Sequence, residues 1–354
     1  MLVASGLVAL LAAPKVIAWY TKRGWVDDPQ QTPHAKKTHA SPVPRGGGLV
    51  VFLGILLASL LFLNIDGYLK AILLGGGLLA AVGVIDDIFD IHPVIRLITG
   101  LIASLIVVGA GIGIAYVSNP FGPGVIHLNE IVIQLTLLGE QREIWLLSSL
   151  FAIFFMLWNM NILNWSKGVD GQLPGFVAIA AIFVGLLSSR FLDDPTTFNT
   201  AHLSFIVAGA YLGLLFWNWY PQKMMPGYGA GSLAGYFLSV LAILSGAKVA
   251  ATLMVIAIPT ADGVFTITRR ILAGKSPLWG DRGHLHHKLM DLYGWGRRRI
   301  AVFYWLASLL LGIISLYLNT VGKMIAFGAT VIFVFSFLIW SKIKALKKQK
   351  LTLV

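Results

Sequence analysis

Asp86 and Asp87 stand side by side, Asp90 follows, and all three close an apolar run that begins near Ala71. An ionised side chain at membrane depth costs about 2.5 kcal/mol or more. Three together stand either just outside lipid or in a hydrated site kept for a purpose. Asp86 and Asp90 are four residues apart, so a continuing helix would carry them on one face, with Asp87 beside them. That set suits a metal, a phosphate-bound metal, or a base held near one. A solvated helix end would use the same residues.

Other polar clusters could serve the same chemistry. Lys36-Lys37-Thr38-His39 leads through Pro42-Val43-Pro44-Arg45 to Gly46-Gly47-Gly48. Glycines at a helix start let backbone N–H groups approach an anion, and Lys37 and Arg45 add positive charge. A basic membrane anchor with a glycine-rich entry is the plainer account. Asn159, Asn161 and Asn164 end a hydrophobic run and precede Lys167 and Asp170-Gly171. Buried amides are costly unless hydrogen-bonded, and Asn161 and Asn164 share a face. They could hold a metal, a sugar or a base edge, and capping alone does not need three. Lys223–Ser232 is a glycine-rich lead into a helix, equally suited to phosphate contact or a tight turn. Asp281-Arg282-Gly283-His284-Leu285-His286-His287-Lys288 sets three histidines among cations. With no cysteine present, a closed zinc site is a poor fit, and an anionic ligand fits better. Asp262, after Pro259, lies inside an apolar run as a functional candidate or a paired structural acid.

The elements that must position these residues are membrane helices. The 354 residues are 57% hydrophobic and 12% charged, and mean hydropathy is +0.81. Those values fit an all-α polytopic membrane protein, not a soluble domain. Leu2–Tyr20 reads as a retained first helix. Apolar runs near 47–64, 70–89, 97–117, 145–163, 174–190, 202–219, 231–246, 249–268, 300–318 and 323–341 bring the expectation to about eleven spans. The 231–246 run is short and glycine-rich, the weakest of them. β-Branched residues in Val125–Leu138 predict a small extracytoplasmic hairpin. Residues 1–341 read as one transmembrane domain, followed by a basic tail, 342–354, at the lipid surface.

The net charge of +12 points to anionic lipid and basic cytoplasmic loops. No basic run is interleaved with aromatic residues as nucleic-acid binding would need. One set of alternating loops carries Lys22, Arg45, Arg96, Lys167, Lys223, Arg269, Lys288 and Arg297 among others; the other carries Arg142, Arg190, Lys248 and Lys323. The positive-inside rule puts the N-terminus out and the C-terminus in. Every unusual polar cluster then falls on the cytoplasmic side, which predicts one site built from five loops. Carboxylates, amides, histidines and cations gathered at a lipid boundary suit chemistry on a diphosphate.

With these motifs in hand, the chain resembles the bacterial polyprenyl-phosphate N-acetylhexosamine-1-phosphate transferases, the superfamily of MraY, WecA and TagO. The resemblance runs roughly from Asp28 to Gly294. It rests on Lys-x-His with Pro-x-Pro-x-x-Gly-Gly at Lys37–Gly47, Asp-Asp-x-x-Asp at Asp86–Asp90, Asn-x-x-Asn with Asp-Gly at Asn161–Gly171, and His-x-His-His at His284–His287. The first and last of these look closer to the N-acetylglucosamine branch than to the pentapeptide branch. The resemblance implies transfer of a sugar 1-phosphate from a UDP-N-acetylhexosamine to polyprenyl phosphate in the bacterial cytoplasmic membrane. It implies Asp86, Asp87 and Asp90 as catalytic residues and magnesium held by Asp87 and Asn164. It implies Lys37, His39, Arg45, Asn161, Asn164, Lys167, Asp170, Arg282, His284, His286 and His287 as substrate contacts. A homodimer is compatible with it.

Two departures stand out. The usual acid of the fourth loop is missing from Gly227-Tyr228-Gly229-Ala230-Gly231-Ser232, and Lys167 replaces an acid of the third. One expectation is that the Lys167 ammonium supplies part of the charge a metal supplies elsewhere. Other readings are a catalytically silent relative that binds nucleotide sugar or lipid carrier, a phospho-MurNAc-pentapeptide transferase, or a transporter. A transporter would place its polar groups near the midplane, often within repeats.

Overall fold

A computed structural model of the chain describes residues 1–30, 41–119, 124–137, 140–191, 195–245, 249–276 and 282–351. Helix α1 (Leu2–Lys22) leads into a short antiparallel pair, β1 (Val26–Asp27) with β2 (Val43–Pro44). Helices α2 (Gly47–Phe62), α3 (Gly67–Phe89) and α4 (Pro93–Gly109) follow. Two hairpins come next, β3 (Tyr116–Ser118) with β4 (Val125–His127) and β5 (Val132–Leu137) with β6 (Glu140–Trp145). The single hairpin expected there is thus a pair. The remainder is helical: α5 (Leu146–Trp165), α6 (Gln172–Ser188), α7 (Pro195–Asn218), α8 (Gly227–Leu244), α9 (Val249–Val255), α10 (Ala257–Leu272), α11 (Leu285–Tyr293), α12 (Arg297–Tyr317) and α13 (Thr320–Leu351).

The chain is a polytopic membrane protein. Seven described helices are long and apolar enough to cross a membrane, or eight if α9 and α10 make one broken span. Helices α2, α4 and α6 are apolar but run to only 16 or 17 residues, so length alone does not carry the expected eleven. The 249–268 run, expected as one helix, bends by 81° between α9 and α10. Pro259 explains the break, because its ring displaces the carbonyl four residues back and it has no N–H to donate. The basic tail continues α13 as helix to Leu351.

Helix α8, the weakest run by hydropathy, is the centre of the bundle: 94% of its apolar window is buried. Its small residues lower the hydropathy and let neighbours approach. A Cβ added at Gly48 of α2 or Gly83 of α3 would lie 2.6 Å from the Gly229 Cα. The three helices therefore meet backbone to backbone, and glycine is required there.

Helix α3 starts where Asp66 accepts a hydrogen bond from the Leu69 N–H at 2.7 Å, an ordinary N-cap. It ends at Asp90, whose backbone is left-handed (φ 47°) and whose N–H donates to the Asp86 carbonyl. His92 and Pro93 then begin α4. The three aspartates thus do not share one continuing helix: Asp90 is the cap that turns the chain.

Candidate active site

The turn from α3 to α4 positions the acid cluster. Asp86 is 3% exposed, and its Oδ1 accepts from Arg96 Nε at 2.6 Å. Arg96 Nη2 donates to Asp90 Oδ1 at 2.7 Å, so one planar guanidinium joins two of the three aspartates. Arg45 lies 3.3 Å from Asp27 and 4.0 Å from Asp90. Asp87 faces inward. Its Oδ2 accepts a long hydrogen bond from the Tyr20 hydroxyl, 3.4 Å away, and its Oδ1 is buried without a partner.

Helix α8 brings its first turn against this cluster. A Cβ at Gly227 would lie 2.5 Å from Asp87 Oδ1. The Lys167 ammonium donates to the Gly227 carbonyl at 2.6 Å. Burial pulls the Lys167 pKa down to about 8, opposed by Asp86 and Asp87 and reinforced by Arg96 and Arg45. Asn164 Oδ1 is also buried and unpartnered, and it lies against Gly231 in the same turn. Tyr228 packs its ring under Arg96, 5.5 Å from the guanidinium carbon, and its hydroxyl donates to the Arg96 carbonyl at 3.0 Å. Tyr228, in the first turn of α8, therefore supports the arginine that holds Asp86.

The histidine run lies at the start of α11. It is not a loop throughout, since His284 caps α11. His284 Nδ1 lies 2.9 Å from Asp262 Oδ2, and Asp262 Oδ1 accepts the Leu285 N–H at 2.8 Å. The His284 and His286 rings stack with centroids 5.6 Å apart, and His287 lies 4.3 Å from His286. The His286 ring packs against Gly168, leaving no room there for a side chain. Burial holds His286 well below the usual histidine range, and burial with Arg282 takes His287 down to about 4. Both are neutral at pH 7, and each keeps a buried Nδ1 without a partner.

The structure thus joins Arg45, Asp86, Asp87, Asp90, Asn164 and Lys167 around the first turn of α8, and Gly168 links them to the histidines. Other expected contacts do different work. Asn161 turns back to the Leu157 carbonyl at 2.8 Å. Asp170 lies 3.5 Å from Arg297 and accepts the Gln222 N–H at 3.2 Å, tying the start of α6 to α12 and to the α7–α8 connection. Burial raises its pKa, against Arg297. Arg282 forms a two-pronged pair with Asp291 at 2.8 and 2.7 Å. Lys37 and His39 lie outside the described residues. Arg96, Tyr20 and Tyr228 are members that the sequence reading did not place in the site. Arg96 could have been noticed as a cation ten residues after Asp86; nothing in the sequence marks Tyr20.

Residues 69–246 match the model of glycosyl transferase family 4. The decaprenyl-phosphate N-acetylglucosaminephosphotransferase of Mycolicibacterium smegmatis is 27% identical, covering 87% of this chain and 82% of that protein. A probable undecaprenyl-phosphate N-acetylglucosaminyl 1-phosphate transferase of Bacillus subtilis is 25% identical over 90% and 84%. The undecaprenyl-phosphate alpha-N-acetylglucosaminyl 1-phosphate transferase of Yersinia pestis is 28% identical over 83% and 77%. The matched segment is half of the chain and carries the aspartates, Asn164, Lys167 and the α8 turn, so the chain belongs to glycosyl transferase family 4.

Proposed function

We propose that the protein transfers N-acetylglucosamine 1-phosphate from UDP-N-acetylglucosamine to a polyprenyl phosphate, releasing UMP and leaving a polyprenyl diphospho-sugar. The relatives named above all carry this kind of transfer in their names. The observation that carries the reading is the gathering of Arg45, Arg96 and Lys167 around Asp86 and Asp87 at one end of the bundle. Cations there neutralise a diphosphate, and a fixed carboxylate orients an attacking phosphate.

The lipid phosphate oxygen attacks the sugar-bearing phosphorus. The bond from that phosphorus to the bridging oxygen breaks, and the electron pair leaves with UMP. Asp86, fixed by Arg96, orients the lipid phosphate and takes its proton if one is present. The neutral histidines are placed to donate to or accept from the sugar nucleotide. Asp87 Oδ1 and Asn164 Oδ1, both buried and unpartnered, are oxygen donors of the type magnesium takes, the remaining positions falling to phosphate and water. When bound there, magnesium would offset charge on the diphosphate.

The basic loops support a cytoplasmic site, with the N-terminus out and the C-terminus in. An eleven-span topology requires α2, α4 and α6 to cross as short helices. The test is UMP release by purified protein with UDP-sugars, with and without polyprenyl phosphate. Release that requires the lipid and prefers UDP-N-acetylglucosamine supports the reading; release without lipid, or none with any UDP-sugar, overturns it.

A further inference from the structure

Lys167 is out of place for a residue with a purely solvated role. It follows the last turn of α5, is half-buried, and aims its ammonium into the acid cluster. The ammonium lies 2.6 Å from the Gly227 carbonyl, in the turn whose Gly227 faces the unpartnered Asp87 Oδ1. Among the described residues, Arg45 and Arg96 also bring positive charge to this cluster. No acid stands in the first turn of α8, and a Cβ at Gly229 there would lie 3.1 Å from the Gly48 Cα and 3.4 Å from the Gly83 Cα, a tight fit between two backbones. Among the described residues, no three acidic or histidine side chains are grouped to hold a metal ion. An ammonium thus stands at the α8 turn, bonded to the backbone carbonyl of the same Gly227 that faces the unpartnered Asp87 Oδ1.

We propose that Lys167 is the built-in counter-charge of the substrate diphosphate, so that the protein takes up the sugar nucleotide without a divalent cation. This rests on the sugar-nucleotide reading above. An ammonium is a compact point charge with three donors. It can hold the Gly227 carbonyl and still offer two N–H groups to phosphate oxygens. A divalent ion, where present, then adds to binding without being required for it. The alternative is that Lys167 only pins the α5–α6 connection onto α8. The two differ in one respect: loss of an anchor weakens binding equally with and without magnesium, whereas loss of a counter-charge is partly made good by magnesium at the vacated position.

The experiment is calorimetric titration of UDP-N-acetylglucosamine into the full chain in detergent, in EDTA and in magnesium, for the unaltered protein, Lys167→Met and Lys167→Arg. The unaltered protein should bind with affinities within about threefold of each other in the two buffers. Lys167→Met should lose about tenfold or more in EDTA, the scale of one charge-assisted hydrogen bond, and recover part of it in magnesium. Lys167→Arg should retain binding in EDTA. Manganese binding without nucleotide, read by electron paramagnetic resonance, should be weak in the unaltered protein and about tenfold tighter in Lys167→Asp, the gain of one charged ligand. Magnesium-dependent binding by the unaltered protein, or an equal loss for Lys167→Met in both buffers, overturns the inference alone. No binding of the sugar nucleotide in either buffer overturns the proposed function and the inference with it.

Discussion

Arg96 Nε lies 2.6 Å from Asp86 Oδ1, and the same guanidinium reaches Asp90 across the helix end. The catalytic candidate is therefore held from outside its own helix by a residue that Tyr228 supports from below. A lysine cannot reproduce this fork. Arg96→Lys should lower the rate of UMP release about tenfold or more, the cost of losing a two-pronged charged contact. Steady-state kinetics on the variant, with its thermal midpoint as a control for folding, check this.

Asp86 and Asp90 are distinguished by burial. Asp86 is 3% exposed, whereas the Asp90 side chain is 77% exposed. Asp86→Asn should cut kcat about a hundredfold or more, the usual scale for a group that handles a proton, with little change in sugar-nucleotide binding. Asp90→Asn should have a much smaller effect. Equal losses in the two variants would count against the assignment of Asp86.

Asp262 holds the start of the histidine run through both oxygens. Asp262→Asn keeps an acceptor for the Leu285 N–H but can turn an N–H toward His284, which then adopts the other tautomer. KM for the sugar nucleotide should rise about tenfold, with a smaller change in kcat. An unchanged KM would make Asp262 purely structural.

Contact between the third and fifth loops can be tested through glycine. A methyl group at Gly168 has no space beside the His286 ring, whereas Gly296 has open space around it. Gly168→Ala should weaken sugar-nucleotide binding, and Gly296→Ala should not. Isothermal titration of the pair provides the comparison.

His286 and His287 set a pH dependence. Their folded-state pKa values lie below the unfolded value of about 6.5, that of His287 at about 4. Between those values the unfolded chain binds protons that the folded chain refuses, so stability rises with pH across this window. Their contribution is fully present above about pH 6.5 and is lost as pH falls toward 4. The thermal midpoint in detergent should fall from pH 7 to pH 5, and His287→Gln should flatten that slope.

Much of this was legible in the chain. Long apolar runs located the helices, and the charge of the loops led to the expectation of one shared site; in the fold Lys167 reaches Gly227 and Gly168 meets the His286 ring. Packing decided what periodicity could not. Helix α8 looked weak because small residues lower hydropathy, yet those residues make it the central helix. The α9–α10 break was masked by continuous hydropathy, although Pro259 stood there as a signal. Asn161 and Asn164 share a face in principle; in the fold Asn161 bonds its own helix and Asn164 keeps a free oxygen. Tyr20 reaches Asp87 across 67 residues, and local patterning cannot see such a contact.

The most direct test follows phosphorus. UDP-N-acetylglucosamine radiolabelled at the β-phosphorus, and separately at the α-phosphorus, is incubated with the protein and polyprenyl phosphate. Transfer of a sugar 1-phosphate moves the β-label into the lipid fraction and leaves the α-label in UMP. Release of UDP that carries the label in both cases would mean transfer of the sugar alone and would contradict the account, as would absence of the β-label from the lipid fraction.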